Sequence, residues 1–321
     1  MTERNFALDT LKFILACCVL ILHFDWRIAP HAYLSVEFFF VISGFMLYKQ
    51  KKLEHYSALN PIYKIYPAYI ASIIIVLIFS NQIYDWWSIV LSVLMLQSIG
   101  LNDTVINVPS WFLCVYLIAI PLLAKFLTLL ERAKIPVAFS CYIIALGSYI
   151  ILHNNTPSTG YNYSFELKIF GITVGLWRCL AGVCVGIVAA AVETKIKEIK
   201  PFPATVVEIS LLVYFVFLFS FSGWGPEYDF VSIPLIAIFI IALSRRKGII
   251  SLGLDYIGVR FKKLGTASTY VFLFHYPLIM VLNETRQDSY LKLIITFCFT
   301  VLVILCLHYS RKGFRTINKN I

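Results

Sequence analysis

The sequence has 321 residues, of which 60% are hydrophobic and 14% are charged. Soluble domains have about 25% charged residues, so this composition excludes a soluble enzyme or binding module. The formal net charge is +10, but the cations lie in short clusters between apolar segments, which favours a membrane protein over one that binds nucleic acid. We therefore expect an all-α, polytopic membrane protein.

Taken in chain order, ten apolar segments of about 16–23 residues are long enough to cross a bilayer as helices. Segment 86–101 is shorter, and we expect it to turn back as a re-entrant or interfacial hairpin. The longest polar stretch, 244–263, is too short for a soluble domain, so residues 1–321 are predicted to form a single integral-membrane domain. The predicted helices lie near residues 7–28, 34–50, 62–80, 111–130, 135–152, 169–191, 203–222, 227–243, 264–283 and 290–310.

The basic residues predict the orientation in the membrane. Twenty of the 27 Lys and Arg residues fall into clusters on one side of this arrangement, whereas the opposite loops hold only Arg27, Lys168 and Arg286. By the positive-inside rule the clustered side is cytoplasmic, and so are both termini. The eight cysteines lie within predicted helices without metal-ligand spacing, so we expect neither disulfide bonds nor a metal site.

The first predicted helix carries two polar residues, Lys12 and His23, inside an apolar segment. They are eleven residues apart, which at about 100° per residue returns them to one helix face, about 16 Å from each other. Such residues are costly in lipid and indicate a functional site. The alternatives are a snorkelling anchor for Lys12 and a structural hydrogen bond for His23. Asp9, just upstream, is predicted to be the N-cap of this helix.

The second predicted helix runs in the opposite direction and places Glu37 near the depth of His23. A carboxylate beside an imidazole fixes the tautomer of the ring and raises its basicity, as a general base requires. We therefore predict a dyad of Glu37 and His23. The alternative is an interfacial Glu37 that is simply solvated.

Four further residues are candidates. Lys64, one turn inside the third helix, either meets a phosphate or snorkels to the surface. Arg178 lies near mid-membrane, where an arginine costs at least about 2.5–3.5 kcal/mol and so requires a partner or a wet cavity. His275 lies two residues before Pro277, which is expected to kink its helix. Trp111 begins a helix, where an aromatic-belt residue is the simplest interpretation.

Four motifs in order resemble the acyltransferase-3 family, integral-membrane enzymes of bacteria that O-acylate cell-surface glycans. The family opens with Leu-Asp-x-Leu-Arg/Lys and has a His eleven positions after the cation. Here these residues are Leu8-Asp9-Thr10-Leu11-Lys12 and His23. The second motif has one additional Phe, and the last has one additional residue between its Ser and Tyr. These later matches are Val36-Glu37-Phe38-Phe39-Phe40-Val41-Ile42-Ser43-Gly44-Phe45, Ser110-Trp111-Phe112-Leu113, and Leu264-Gly265 through His275-Tyr276-Pro277-Leu278.

The resemblance implies a multi-pass O-acyltransferase of the cell (inner) membrane that moves an acyl group, most simply acetyl, from cytoplasmic acyl-CoA to a hydroxyl. The acceptor would be a cell-surface or exported polysaccharide, or its lipid-linked repeat unit. Acyl-CoA would be a co-substrate, with no bound cofactor. His23 would act as general base or transient acyl carrier, oriented by Glu37. The donor would be held by Lys12 and Lys64, and the acceptor or oxyanion would meet Trp111, Arg178 and His275.

One motif departs from the family pattern. Family members commonly carry Arg-x-x-Arg just before a Tyr-Pro in the third helix, whereas this chain has Pro61 and Lys64 before Tyr66-Pro67. The first cation is missing, and lysine lacks the bidentate fork of arginine. Donor binding is therefore expected to be altered or to depend on Lys12, Lys64 and the cluster of Lys49, Lys51 and Lys52.

Two other classes of function stay open at this point. A transporter or flippase of an anionic or glycolipid substrate would also need cations and histidines inside the membrane. The sequence has no internal repeat, which argues against that class. A catalytically silent family member is the third possibility, because the first cation of the third-helix motif is missing.

Overall fold

The computed structural model describes residues 4–49, 59–101, 104–156, 161, 166–221, 225, 229–283, 291–292, 294–299 and 301–302. Helices dominate this part of the chain, together with one short hairpin of strands β1 (Lys168–Ile169) and β2 (Ile172–Thr173). The α-helices are α1 (Phe6–Phe24), α2 (Ser35–Lys49), α3 (Leu59–Phe79), α4 (Trp86–Val93), α5 (Trp111–Arg132), α6 (Val137–Asn155), α7 (Val174–Lys195), α8 (Pro201–Ser220), α9 (Asp229–Arg245), α10 (Ile249–Arg260) and α11 (Leu264–Asn283).

Within the described residues, seven helices are long and apolar enough to cross a membrane. They are α1, α5, α6, α7, α8, α11 and α2 with the 3-10 turn that precedes it. This confirms the expected all-α, polytopic membrane protein. The helix predicted near 290–310 lies largely outside the described residues, and its described parts are helical.

The short helix α4 enters the bundle without crossing it. Its eight residues rise only about 12 Å, far less than a bilayer core of about 30 Å. Its end is held by two hydrogen bonds from α3, where Tyr66 Oη donates to the Val93 carbonyl at 3.0 Å and Tyr69 Oη to the Ser92 carbonyl at 2.6 Å. The chain then reverses at Met95, whose φ is +57°. The segment 86–101 is thus a turning segment, as its length predicted.

The polar stretch 244–263, for which the sequence predicted no helix, contains α10. A buried carboxylate of α8 organises its start, because Glu208 Oε2 accepts from the backbone N–H groups of Ile250 at 2.9 Å and Ser251 at 3.0 Å. An anion at a helix N-terminus satisfies unpaired N–H groups and opposes the positive end of the dipole. The middle of α10 is fixed to α1, since Thr10 Oγ1 donates to the Leu254 carbonyl at 2.9 Å. Periodicity missed this helix because tertiary contacts, rather than an apolar span, define it.

Helices α2 and α7 form the closest pair in the centre of the bundle. Gly182 and Gly186 of α7 lie four residues apart and face α2. A methyl group at Gly182 would come 2.7 Å from Phe40 Cβ, and one at Gly186 would overlap the Val41 carbonyl and lie 2.7 Å from Phe45 N. Small residues at this spacing allow the backbones of membrane helices to approach closely.

We expect Gly186→Ala to lower the free energy of unfolding by about 1–3 kcal/mol, because the added methyl must push α2 and α7 apart. Denaturant or thermal unfolding in detergent measures the effect. The matched control is Gly147→Ala in α6, where an added Cβ meets no atom within 4 Å. Equal stability of the two variants would contradict the close packing of α2 on α7.

Candidate active site

Helices α1 and α11 pack side by side, and the first and last sequence motifs meet at both ends of this pair. At one end, which we call the Lys12 end, Asp9 Oδ1 lies 2.7 Å from Lys12 Nζ and Asp9 Oδ2 lies 2.6 Å from Arg4 Nε. A Cβ on Gly265, at the start of α11, would come 2.7 Å from Asp9 Oδ1. The glycine therefore leaves room for the carboxylate that holds Lys12.

The predicted N-cap role of Asp9 is wrong. Asn5 caps α1, with its Oδ1 accepting from the backbone N–H of Leu8 at 3.1 Å. Asp9 lies one turn further into the helix, where two cations compete successfully for its carboxylate. Charge-assisted hydrogen bonds are stronger than those to a neutral amide, which explains the outcome.

At the opposite end, which we call the His23 end, the rings of His23 and His275 lie 5.3 Å apart, centroid to centroid, and the Tyr276 ring lies 5.7 Å from His23. The two predicted site histidines are thus neighbours. His275 is 1% exposed, and its Nδ1 lies 2.9 Å from the Val271 carbonyl oxygen. A carbonyl only accepts, so Nδ1 carries the hydrogen and Nε2 of the neutral ring is an acceptor. The oxyanion role expected for His275 requires a donor instead.

The predicted partner of His23 is paired elsewhere. Glu37 Oε1 accepts from Arg178 Nε of α7 at 2.7 Å, and the two side chains are 0% and 2% exposed. The arginine therefore has the partner that its depth required, and a solvated, interfacial Glu37 is excluded. A buried guanidinium without an anion is far more costly than a neutral imidazole without one, which is why Glu37 pairs with Arg178 and not with His23.

Trp111 belongs to the same buried group. Its ring lies 5.1 Å from Arg178 Cζ, and the Tyr161 ring lies 5.5 Å from the same atom. Trp111 is 7% exposed, so it packs inside the protein and is not part of an aromatic belt at the membrane surface. Cation–π contacts of this kind add to the stabilisation of a desolvated guanidinium.

An imidazole–carboxylate pair that the sequence analysis did not identify lies near this buried group. His31 Nδ1 lies 3.2 Å from Asp229 Oδ1, and Tyr33 Oη donates to Asp229 Oδ2 at 2.8 Å. Asp229 is the first residue of α9 and is completely buried. The pair fixes the connection between α1 and α2 to the start of α9. A charged residue directly before an apolar segment was the only signal available in the sequence.

Pro277, inside α11, explains the hydrogen bonding of a further buried residue, Asn107. Proline has no N–H, so the carbonyl four residues earlier, that of Leu273, loses its helical donor. Asn107 Nδ2 donates to this carbonyl at 2.9 Å and to Ser72 Oγ of α3 at 2.9 Å. The loop that leads into α5 thereby supplies the hydrogen-bond donor missing in α11, at a carbonyl two residues before His275, from a residue four positions before Trp111.

The other predicted donor-binding cations differ in their surroundings. Lys64 is exposed near the start of α3. Lys49 Nζ, at the end of α2, lies 2.7 Å from Glu193 Oε2, which shares its carboxylate with Arg245. Lys51 and Lys52 lie outside the described residues.

An open cleft of about 460 Å³ lies at the His23 end. Its polar lining comes from His23, Asp25, Arg27 and Lys292, and its apolar lining includes Trp26. Arg27 Nε and Nη2 donate to the two Asp25 carboxylate oxygens, both at 2.9 Å. These hydrogen bonds lower the pKa of the Asp25 carboxyl below its ordinary value. The sequence analysis had noted Arg27 only as one of few cations in its loops, and had not grouped it with Lys292.

We expect Asn107→Leu to lower the free energy of unfolding by about 1–3 kcal/mol, because it leaves the buried Leu273 carbonyl without a donor. In a Pro277→Ala background the loss should shrink, since position 277 regains an N–H that bonds this carbonyl. Unfolding in detergent measures all four combinations, with the exposed Asn155→Leu as control. An equal loss in both backgrounds would contradict this role of Asn107.

Comparison with known proteins adds an independent result. A family model described as an acyltransferase domain matches residues 5–309. No curated protein and no solved structure gives a significant match. The match spans α1 through α11, and so includes both ends of the α1–α11 pair and the buried group around Arg178. The chain therefore belongs to the acyltransferase-3 family of membrane acyltransferases.

Proposed function

We propose that the protein transfers an acyl group, most simply acetyl, from cytoplasmic acyl-CoA to a hydroxyl of a cell-surface or exported polysaccharide or its lipid-linked repeat unit. The observation that carries this proposal is the layout of α1. The helix holds Lys12 at one end and His23 beside the cleft at the other, about 16 Å apart along its axis. An extended pantetheine arm is of about this length, so a donor held near Lys12 can present its thioester near His23.

The proposed topology gives this layout a direction. The Lys12 end is cytoplasmic and the His23 end faces outward, with both termini inside and ten membrane crossings. The positive-inside rule supports this orientation, because the clustered cations lie at the Lys12 end. The protein is then a multi-pass protein of the inner membrane, and α4 is a re-entrant segment open toward the outer side.

On the donor side, Lys12 and Lys64 are proposed to bind the phosphates of acyl-CoA. Lys12 Nζ is paired with Asp9 Oδ1, yet its side chain remains 28% exposed. Arg4 also binds this carboxylate, at 2.6 Å, so Asp9 keeps a cationic partner when Lys12 turns toward a phosphate. Lys64 is exposed and is available for the same anion.

On the acceptor side, His23 is proposed to take the proton of the sugar hydroxyl as its oxygen attacks the thioester carbonyl. The carbon–sulfur bond breaks, the acyl–oxygen bond forms, and CoA leaves as the thiol after it takes up a proton. The same geometry fits an acyl group carried transiently by His23, which the hydroxyl then attacks. His275 is proposed to support either route as a proton acceptor, because its ring lies 5.3 Å from the His23 ring and its buried Nε2 has no hydrogen-bond partner among the described residues.

We propose that Glu37 positions the central helices and is not the partner of His23. Its ion pair with Arg178 fixes α2 against α7, and Arg178 in turn contacts Trp111. Arg178 is buried with Glu37 and does not line the cleft beside His23, so we assign it the same positioning role and not that of the oxyanion donor. The competing proposal, a transporter or flippase of an anionic or glycolipid substrate, uses the same buried cation without any chemistry at His23.

We expect His23→Ala to reduce acyl transfer by about 10²–10⁴-fold, as the loss of a general base does, while the protein stays folded in the membrane. Transfer of label from acetyl-CoA to glycan in membrane vesicles measures this. His153→Ala, at the exposed end of α6, is the control and should transfer normally. Normal transfer by His23→Ala would remove His23 from the mechanism. Movement of a glycolipid or anion without any acyl transfer by the wild type would support the transporter.

We expect Lys12→Gln to weaken acetyl-CoA binding by about tenfold to a hundredfold, because one charge-assisted contact with phosphate is worth about 1.5–3 kcal/mol. Lys12→Arg keeps the charge and should largely keep the affinity. Binding to protein in detergent, at matched amounts, measures both, with Lys125→Gln on the exposed face of α5 as control. Equal affinity of wild type and Lys12→Gln would show that Lys12 only anchors its helix.

A further inference from the structure

The cleft at the His23 end combines an aromatic surface with hydrogen-bonding side chains. Trp26 lies two residues after the end of α1 and is 65% exposed. Asp25 and Arg27 flank it and hold each other through two parallel hydrogen bonds. A flat ring beside fixed polar groups suits a saccharide, whose ring presents C–H groups on its faces and hydroxyls at its rim.

The described lining of the cleft also holds more cations than carboxylates, on a side of the protein where the sequence has few cations. The loops at this side hold Arg27, Lys168 and Arg286, and the structure adds Lys292 to the wall that contains Arg27. Asp25 neutralises one of the two cations of the cleft. Within the described residues no carboxylate pairs with Lys292, and Arg27 Nη1 is not used by Asp25. Among the described residues that line the cleft, two cations and one carboxylate are present, which leaves one positive charge beside His23.

We propose that this cleft binds a negatively charged saccharide, whose ring stacks on Trp26 and whose carboxylate or phosphate lies between Lys292 and Arg27. This inference rests on the proposed function and deepens it, since it names the chemical class of the acceptor. Arginine and lysine bind such anions through charge-assisted hydrogen bonds. Asp25 keeps Arg27 in place and accepts from sugar hydroxyls, which leaves one hydroxyl free to point at His23.

This assignment moves acceptor recognition away from residues that the sequence suggested. Trp111 and Arg178 are buried with Glu37 and do not line the cleft. Asp25, Trp26 and Arg27 directly follow the helix that carries His23, and Lys292 lies nine residues beyond the end of the helix that carries His275. Contact of the acceptor with these residues would place it beside the proposed base.

The test is a binding experiment with purified protein in detergent at low ionic strength. The probes are two hexasaccharides, the acidic hexagalacturonate and the neutral maltohexaose. We expect the wild type to bind the acidic probe about tenfold more tightly, and Lys292→Gln to remove most of this preference without changing the neutral affinity. Lys168→Gln, a cation away from the cleft, is the matched control and should keep the preference. Trp26→Ala should weaken the binding of both probes.

The preference for the acidic probe should also fall as salt is added, because salt screens the attraction between charges in an open cleft. Equal affinity for the two probes, no measurable binding of either, or an equal effect of Lys168→Gln and Lys292→Gln would each overturn the proposal. The experiment needs no acyl donor, so its outcome is separate from that of the proposed function. Acyl transfer without any preference for acidic saccharides would refute only the proposal that the cleft binds a negatively charged saccharide. Binding of the acidic probe without acyl transfer would refute only the proposed acyltransferase activity.

Discussion

The ion pair between Glu37 and Arg178 is the interaction on which the centre of the protein depends. Both side chains are buried, and removal of one partner from such a pair typically costs about 3–5 kcal/mol because the other charge stays buried and unpaired. Gly182 lets α7 approach α2 beside this pair, because a Cβ at that position would come 2.7 Å from Phe40 Cβ. Charge pairing and close helix packing therefore occur at the same contact.

A second constraint is the absence of water as a partner for backbone groups inside a membrane. Each break in a helix needs a compensating side chain, and two breaks in this protein have one. Asn107 donates to the carbonyl that Pro277 leaves without a donor, and Glu208 accepts from the first N–H groups of α10. These contacts join α3, α11 and the loop before Trp111 at one end, and α8 and α10 at the other.

The α1–α11 pair connects these constraints to the proposed chemistry. Gly265 makes room for the carboxylate beside Lys12, and His275 lies against His23 on the same pair of helices. The pair of helices α1 and α11 thus holds a lysine at the Lys12 end and two imidazoles at the His23 end. Transfer of an acyl group across most of a bilayer requires the two reaction partners to be held at a fixed separation, and a helix supplies that separation directly.

The sequence by itself determined the fold class and the family, because apolar length and ordered motifs are local properties of the chain. It also identified Lys12, His23, Glu37, Arg178 and His275, since polar residues stand out in apolar segments. Their partners were decided only by the tertiary structure. Depth along a helix placed Glu37 level with His23, but the rotation of α2 turned it to Arg178, and His23 lies beside His275 instead. Helix α10, the Asp229 pair and the cleft with Lys292 were unpredictable for the same reason, because each depends on residues distant in sequence that only packing brings together.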